Sequence, residues 1–480
     1  MNRIVKNYIY NGLYQLFVII VPLITAPYLA RTLGAANLGV YGYVNSSSNL
    51  LVNLGLLGIY DYGNRQTAYY RDDKHKTSKM FCEIMLLRLM LTALITVAFL
   101  VVAGLSDCKT YFLFYFPWIL ANCLDCSWLF VGMEDMGSTC LKNFLAKLGG
   151  VICIFAFVRT ENDLWIYILS LALSVLLANV VVYAQLHKYI TFHRVSISKS
   201  IKHINGSLQF FFPQMAMLLY MQVDKVMIAN IIKDTSYVAF YDQAEKIVQI
   251  PLSLITVVST VMMPRIANEY KKGNKDQVDK YLVLSGSYML LAAFPLAIGI
   301  ATIAKEFIPW YLGDEFYPSI LAMISLCPIV IANALSGLAG KQYLTATNQM
   351  KTLLFSYACT AVINIILNAV LLSTVGWVGA IVATDVSAIT CASIQLWHIR
   401  KQVHGISVLI KKSASYLLAA LVMGAAVYYI GYVKGASPTT TVIQIIVGCI
   451  VYFSIMLLTR NKECIDIISY VRGMIFRRKI

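Results

Sequence analysis

The sequence predicts an all-α polytopic membrane protein with about 14 transmembrane helices, and three observations lead to this prediction. First, 59% of the 480 residues are apolar and only 13% are charged, whereas about a quarter of the residues in an average soluble domain are charged. Second, the apolar residues come in segments close to the roughly 20 residues that a helix needs to cross a bilayer. Third, lysine and arginine are concentrated in alternate loops. This composition excludes a soluble enzyme, a disordered chain and a disulfide scaffold.

Fourteen apolar segments can be counted along the chain, and the loops between them are short. The segment 237–264 is the weakest of them, because charged residues interrupt it. The predicted spans are 8–30, 37–60, 80–103, 111–131, 139–158, 165–186, 207–231, 237–264, 281–304, 316–338, 352–374, 376–399, 413–433 and 439–459.

The order of the spans predicts two lobes of six helices around a central cavity, followed by two extra C-terminal helices. Spans 1 and 7 each contain a proline, Pro22 and Pro213, and LGVYGYVN at 38–45 resembles VAFYDQAE at 238–245. Such a repeat is typical of transporters that handle a substrate between two related lobes. The predicted domains are an N-lobe at 1–186, a cytoplasmic linker at 187–205, a C-lobe at 206–400, spans 13 and 14 at 413–459 and a basic cytoplasmic tail at 460–480.

The loop charges orient the chain with both termini in the cytoplasm. In this orientation the inside segments, with Lys142 counted alongside the loop before span 5, hold 29 of the 39 Lys and Arg residues, and the outside loops hold six. Cytoplasmic loops collect Lys and Arg, so the bias supports both the number of spans and their orientation. The same rule explains the net charge of +16 without a nucleic-acid partner.

The cysteines and loops show no pattern typical of a cofactor, a metal site or an enzyme. The count of 11 cysteines is odd, most lie in apolar segments, and Cys108 alone lies in a loop predicted to be outside. Cys123 and Cys126 form a CxxC pattern within an apolar segment, but no second pair accompanies them. This isolated pattern is more typical of helix packing than of a metal or redox site. We therefore expect a non-enzymatic protein without a cofactor.

Nine charged residues lie five or more residues from either end of a predicted span, and their free-energy cost constrains how the spans pack. Each charge would cost about 3 kcal/mol at the centre of a bilayer, even on a lenient scale. We therefore expect most of them to face the protein interior or a water-filled cavity, or to lie near a span end. The nine are Arg88, Asp125, Lys147, Asp224, Lys225, Asp242, Glu245, Lys246 and Asp385.

The eighth span carries the most informative polar pattern. Seven polar residues fall within an arc of about 100° when each residue is placed 100° after the last. A polar stripe along a membrane helix indicates contact with water or a polar substrate, and the alternative is a ladder of hydrogen bonds between helices. The stripe consists of Asp242, Glu245, Lys246, Gln249, Ser253, Thr256 and Thr260.

Four other spans carry shorter polar rows, and together the five rows predict a shared hydrophilic lumen. Each row taken alone is also compatible with hydrogen bonding between packed helices. The rows are Asn7, Asn11, Tyr14, Gln15 and Thr25; Asn45, Asn49 and Asn53; Gln214 and Lys225, with Asp224 adjacent; and Tyr357, Thr360, Asn364 and Asn368.

The residue types in these rows favour a sugar and phosphate ligand. Amides, hydroxyls and tyrosines hydrogen-bond to sugar hydroxyls, and lysine binds phosphate as a point charge. Each intramembrane cation also has a structural alternative. Lys246 can pair with Asp242, and Lys225 can pair with Asp224 or with a carboxylate on span 8. The remaining two, Arg88 and Lys147, can extend to the membrane interface.

Four segments resemble a known family. VPLITAPYLARTLGAANLGVYGYV at 21–44 resembles the first-span signature of Wzx-type polysaccharide and O-antigen flippases, which belong to the multidrug/oligosaccharidyl-lipid/polysaccharide exporter superfamily. QVDKVMIANI at 222–231 is similar to the pattern of spans 7 and 8 in that family, as are VAFYDQAEKI at 238–247 and VMMPRIAN at 261–268. The length and the fourteen predicted spans agree, so the resemblance covers essentially the whole chain.

The resemblance implies export of a lipid-linked sugar. The expected substrate is an undecaprenyl-diphosphate-linked oligosaccharide repeat unit, moved from the cytoplasmic to the periplasmic leaflet of a bacterial inner membrane by alternating access. The product would feed the biosynthesis of O-antigen, lipopolysaccharide or a capsule-like polymer. The implied partners are membrane lipids, a coupling H⁺ or Na⁺ and the polysaccharide polymerase machinery. The implied diphosphate contacts carry over to Lys225 and Lys246, although the predicted lumen holds at least as many carboxylates as cations.

Two other functions stay open at this stage. The first is a cation-coupled drug or metabolite antiporter on the same fold, for which about twelve spans would be expected. The second is a membrane glycosyltransferase or polymerase, which would need a sizeable external loop. The longest predicted outside loop, around 305–315, is about a dozen residues long. The extra spans and the short loops favour the flippase over both.

Overall fold

The computed structural model describes residues 3–403, 405–466 and 469, and among these it contains helices and no strands. This confirms the all-α class. Side chains are described except at residues 3–16, 18, 19, 136, 213, 217 and 220. The chain divides into two compact units, Met1–Ala239 and Phe240–Ile480.

The first unit is built from nine α-helices in its described residues. They are α1 (Arg3–Gly55), α2 (Ile59–Tyr70), α3 (Lys74–Leu105), α4 (Lys109–Leu124), α5 (Ser127–Gly132), α6 (Met136–Phe157), α7 (Leu164–Tyr183), α8 (Ile197–Ile201) and α9 (His203–Ile232).

The second unit contains eight α-helices in the part of it that is described, and the first of them begins just before the boundary. They are α10 (Ser236–Lys271), α11 (Lys275–Tyr311), α12 (Ser319–Ser325), α13 (Pro328–Ser336), α14 (Met350–Val375), α15 (Val378–Ile399), α16 (Ile406–Lys434) and α17 (Pro438–Leu458). A short π-helix, Gly337–Leu344, connects α13 to the turn before α14.

Eleven helical segments among the described residues are long and apolar enough to cross a membrane, so the chain is a multi-pass membrane protein. The other three predicted spans lie in α1, the turn and start of α2 that follow it, and α9, and these helices are not among the eleven. Fourteen spans and the orientation of the termini therefore stay predictions. The weakest predicted span, 237–264, lies within the single continuous helix α10.

The helix α1 changes direction at Gly34, between the first two predicted spans. Gly34 has φ 75° and ψ 172°, a left-handed backbone conformation that glycine adopts without steric cost. Five residues further on, Gly39 lies against the backbone that precedes α10. A methyl group on Gly39 would come within 1.7 Å of the Thr235 carbonyl oxygen. The hydroxyl of Thr235 also donates a 3.1 Å hydrogen bond to the Ala36 carbonyl oxygen.

The compact units and the predicted domains divide the chain at different places. The predicted boundary lies in the linker 187–205, whereas the first compact unit continues to Ala239 because α9 packs against α1. Compactness groups helices that touch, whereas the predicted lobes group spans by their order in the chain. The predicted domains remain a prediction.

The two C-terminal helices, α16 and α17, pack against α11 in the second unit. Leu291, Tyr416, Met423 and Tyr452 form the buried centre of this packing. The Tyr452 hydroxyl donates a 2.9 Å hydrogen bond to the Leu291 carbonyl oxygen. The opposite faces expose apolar side chains, as expected for helices that contact lipid: Leu418, Val422, Ile446 and Ile450.

The loop between α3 and α4 offers a test of the predicted orientation. Burial, and then the charge of Asp107, raise the pKa of the Cys108 thiol above its ordinary value. Only the thiolate reacts with maleimides. In intact cells, a membrane-impermeant maleimide should therefore label Cys108 slowly at pH 7 and faster as the pH rises. The Cys108→Ser variant should lose this label, and labelling of Cys108 only in permeabilised cells would contradict the orientation.

Candidate functional site

The outer part of the α10 stripe consists of charged side chains and an amide. Asp242 is buried and its Oδ2 lies 2.5 Å from Nζ of Lys246, whose side chain is 44% exposed. One turn further on, Gln249 donates a 2.8 Å hydrogen bond from Nε2 to Oε1 of Glu245. The pairing of Lys246 with Asp242 that the sequence allowed is present. It leaves the ammonium group of Lys246 partly open to solvent.

The inner part of the stripe is a row of three hydroxyls, which we call the hydroxyl row: Ser253, Thr256 and Thr260. Each hydroxyl donates its hydrogen to a carbonyl oxygen of α10 itself, at 2.6 Å to Ile250, 2.9 Å to Ser253 and 3.1 Å to Thr256. Ser253 is half-buried, whereas Thr256 and Thr260 are exposed. In a ladder between packed helices the hydroxyls bond to neighbouring helices, whereas these three hydrogens return to α10, and among the described residues only Thr260 accepts a hydrogen bond from another helix. The row therefore presents oxygen lone pairs on an open side of α10.

The asparagine row on α1 is bonded within the first unit. Asn49 donates from Nδ2 to the main-chain and side-chain oxygens of Asn45, at 2.9 and 3.0 Å. Asn53 continues the row with a 2.8 Å bond to the Asn49 carbonyl oxygen. The Tyr115 hydroxyl on α4 donates to Oδ1 of Asn45 at 2.8 Å. These bonds agree with the alternative in which the row hydrogen-bonds within and between packed helices. Asn45 and Asn49 are half-buried and keep some exposed surface.

Two of the three predicted residues on α9 are buried in the first unit. Asp224 is 1% exposed and Lys225 is 8% exposed, while Gln214 on the same helix is exposed. The structure does not describe the side chain of Asn11, so that prediction lies outside the described residues.

Arg88 serves a structural role at the end of α4. It is 2% exposed, and its Nε and Nη2 both donate to the Asn122 carbonyl oxygen, at 2.9 and 2.5 Å. The carbonyls of the last helical turn lack partners within the helix and carry partial negative charge. The guanidinium group therefore caps the C-terminus of α4. Nη1 of Arg88 is buried without a partner.

Next to this cap, Asp125 and Lys142 form a buried ion pair that the sequence reasoning missed. Asp125 lies in the break between α4 and α5, where its Oδ1 accepts hydrogen bonds from the backbone N–H and the hydroxyl of Ser127. Lys142 on α6 is 8% exposed, its Nζ lies 2.7 Å from that same Oδ1, and it also donates to the Ser127 hydroxyl. Lys142 lies only three residues inside the predicted span 139–158, and the charge count groups it with the preceding loop, but a carboxylate inside a span needs a cation. Asp125 was therefore the signal that could have led to Lys142.

The remaining predicted residues lie apart from the stripe. Lys147 is half-buried on α6, five residues after Lys142. On α14, Thr360, Asn364 and Asn368 are all buried, so their row faces the interior of the second unit. Asp385 on α15 has one carboxylate oxygen buried without a hydrogen-bond partner.

Beyond the predicted residues, the structure brings one further cation to the stripe. Nζ of Lys341, in the π-helix, donates a 3.0 Å hydrogen bond to the Thr260 hydroxyl. Lys341 and Thr260 are 81 positions apart in the chain. No helical periodicity relates two such distant segments, so the sequence held no signal for this contact.

A protein-family model described as a polysaccharide biosynthesis protein matches residues 4–270, which is more than half of the chain. The chain belongs to this family. The matched region contains all of the first unit's described helices and the whole α10 stripe. Lys341 lies outside the region that the family model matches.

The sequence of the chain is similar to those of individual transport proteins. A proposed O-antigen transporter of Escherichia coli (strain K12) is 23% identical over 364 residues, which cover 72% of this chain and 84% of that protein. The lipid II flippase MurJ of Bacillus subtilis (strain 168) is 25% identical over 195 residues, which cover 40% of this chain and 36% of that protein.

Solved structures with the same fold include two classes of transporter. An inward closed conformation of the lipid II flippase MurJ aligns with a TM-score of 0.72 at 16% identity, over 94% of this chain and 98% of that chain. An inward-facing multidrug resistance MATE transporter of the MOP superfamily aligns with a TM-score of 0.64 at 14% identity, over 82% of this chain and 95% of that chain. These likenesses show that this member of the polysaccharide biosynthesis family shares their fold.

The ion pair between Asp125 and Lys142 predicts a large effect on stability. Removing one partner of a buried pair leaves an uncompensated charge and costs about 3–5 kcal/mol. Lys142→Met should therefore lower the Tm of the purified protein in detergent. Lys147→Met, on the same helix, is the matched control and should have a smaller effect. Adding Asp125→Asn to Lys142→Met should restore most of the loss, and equal effects of the two single lysine variants would contradict the assignment.

Proposed function

We propose that the chain is a flippase for an undecaprenyl-diphosphate-linked oligosaccharide repeat unit. It would move the unit from the cytoplasmic to the periplasmic leaflet of a bacterial inner membrane by alternating access, for surface polysaccharide biosynthesis. The family supports a role in polysaccharide biosynthesis, and the named relatives include a proposed O-antigen transporter and a lipid II flippase. We infer that the substrate is lipid-linked from these relatives.

The observation that carries the proposal is the open polar side of α10. Charged and strongly polar groups on a membrane helix are costly in contact with lipid, so the exposed Lys246 and Gln249 on this side indicate contact with water or a polar substrate. The hydroxyl row offers acceptors for sugar hydroxyl groups, because its own hydrogens are held by the α10 backbone. Gln249 and Lys246 continue the same exposed side with an amide and a cation. These groups suit a polar glycan better than an apolar drug.

The charge of the substrate supplies a driving force under this proposal. Moving one elementary charge across a membrane is worth about 2.3 kcal/mol per 100 mV. A diphosphate carries about two negative charges, and its outward movement from a negative interior would be favoured by about twice that amount. The carboxylates Asp224, Asp242 and Glu245 are the candidates for coupling to H⁺ or Na⁺ instead. Involvement of a polysaccharide polymerase belongs to the same proposal.

A cation-coupled drug or metabolite antiporter is the alternative function, and only the fold supports it. MATE transporters share the architecture, but a common fold does not carry a common function. The family match and the glycan-related names of the relatives favour the flippase.

Deletion of the gene in the native host tests the proposal directly. Lipid-linked repeat units should accumulate intact inside the cell, and surface polysaccharide should be lost, because flipping precedes assembly outside. Mass spectrometry of lipid extracts and quantification of surface polymer measure the two effects, and the wild-type gene should restore both. Normal surface polymer without accumulation, together with lost resistance to small toxic compounds, would instead identify an antiporter.

A matched pair of variants connects that phenotype to the hydroxyl row. Ser253→Ala with Thr256→Val removes two hydroxyls, and loss of neutral hydrogen bonds worth about 0.5–1.5 kcal/mol each predicts a several-fold drop in restored polymer. The control, Ser373→Ala with Thr374→Val, removes two exposed hydroxyls on α14 that also bond to their own helix backbone. Equal restoration by both pairs would show that the hydroxyl row plays no part in transport.

A further inference from the structure

The π-helix Gly337–Leu344 presents a single side chain. In a π-helix each backbone N–H bonds to the carbonyl oxygen five residues earlier, as the Thr345 N–H does to the Gly340 carbonyl oxygen at 3.0 Å. Such local widening of a helix is rare and frequently occurs at functional sites. Six of the eight residues are buried and Gly337 is half-buried, so Lys341 alone is exposed. The segment is therefore packed on all sides except at this lysine.

Buried contacts hold the residues on either side of Lys341. Gln342 donates from Nε2 to the Ser259 hydroxyl at 3.1 Å and accepts a 2.7 Å hydrogen bond from the Ser285 hydroxyl at Oε1. On the other side, a methyl group on Gly340 would come within 2.9 Å of the Gln395 side-chain oxygen. The residues on either side of Lys341 are thus hydrogen-bonded to α10 and α11 and closely packed against α15. The side chain of Lys341 starts from a fixed position.

Lys341 differs from the other lysine at the stripe in having no carboxylate partner. Lys246 is paired with Asp242 at 2.5 Å. For Lys341, the structure as described contains no ion pair, and its Nζ donates to the Thr260 hydroxyl at 3.0 Å. An ammonium group has three hydrogens to donate. The arrangement leaves a full positive charge and two donors at one end of the hydroxyl row.

The two groups together form a complementary set for a sugar phosphate. The hydroxyl row contributes acceptors for sugar hydroxyls, and Lys341 contributes charge and donors for phosphate oxygens. The predicted topology puts Thr260 and Lys341 at the cytoplasmic end of their spans. A lipid-linked substrate begins its transport in the cytoplasmic leaflet, so its diphosphate would meet this end first.

We propose that Lys341 binds the diphosphate group of the lipid-linked substrate at the cytoplasmic end of the hydroxyl row, an assignment that rests on the proposed flippase function. The row then takes up the first sugar hydroxyls. The positive charge of Lys341 binds the diphosphate, and the acceptors of the hydroxyl row bind the sugar hydroxyls of the same ligand.

Binding of undecaprenyl diphosphate tests the assignment. The full-length protein is placed in phosphatidylcholine nanodiscs, and the Kd of the probe is measured for the wild type and three variants. Lys341→Gln should weaken binding by about 10- to 100-fold, since this range corresponds to the free energy of one charge-assisted hydrogen bond. Lys341→Arg should retain most of the affinity because it retains the charge. Lys351→Gln, which removes a nearby exposed lysine at the start of α14, is the matched control and should bind like the wild type.

The outcomes separate the assignment from the function on which it rests. If the wild type binds the probe and Lys341→Gln binds as well as Lys351→Gln, Lys341 is not the diphosphate contact. If the wild type neither binds the probe nor restores polymer in the deletion strain, the flippase function itself is wrong. Competition by phosphatidylglycerol as strong as by the diphosphate probe would overturn the diphosphate assignment in favour of general binding of anionic lipid. An unchanged Tm of the Lys341→Gln protein shows that its fold is intact.

Discussion

The cost of polar groups inside a bilayer is the constraint on which the rest of this structure depends. No water is present in the hydrocarbon core, so backbone and side-chain polar groups must find partners within the protein. The break between α4 and α5 shows how the chain meets this requirement. Arg88 caps the end of α4, and the Asp125 carboxylate, which Lys142 neutralises, accepts the Ser127 N–H at the start of α5. Three charges from three places in the sequence make one interrupted membrane segment possible.

The same constraint separates polar rows that hold helices together from a polar row that is open. On α1 the asparagines bond to one another and to Tyr115, and on α14 the row faces the interior of its unit. On α10 the hydroxyl hydrogens turn back to the helix backbone, and the oxygens remain on an exposed side. A row that satisfies its own donors and still presents acceptors is suited to a ligand. This difference, rather than the number of polar residues, identifies α10 as the candidate surface.

The proposed function joins this surface to the family. Glycan hydroxyls and a diphosphate require acceptors and cations respectively, and the α10 side supplies both with Lys246 and Lys341 near its two ends. The two lysines are not equivalent, since Asp242 neutralises the first. A diphosphate entering from the cytoplasm would meet the unneutralised cation first.

The sequence by itself determined the helical class, the membrane location, the stripe on α10 and the asparagine row, because periodicity and hydropathy are local properties of the chain. It also indicated that Asp125 needs a cationic partner, since a charge inside a span requires one. Only the tertiary structure decided that the partner is Lys142, that Arg88 caps α4 instead of extending to the interface, and that the row on α14 is buried. It alone brought Lys341 to Thr260. These pairings join residues on different helices, and their positions depend on helix breaks and on a π-helix whose geometry no residue spacing encodes.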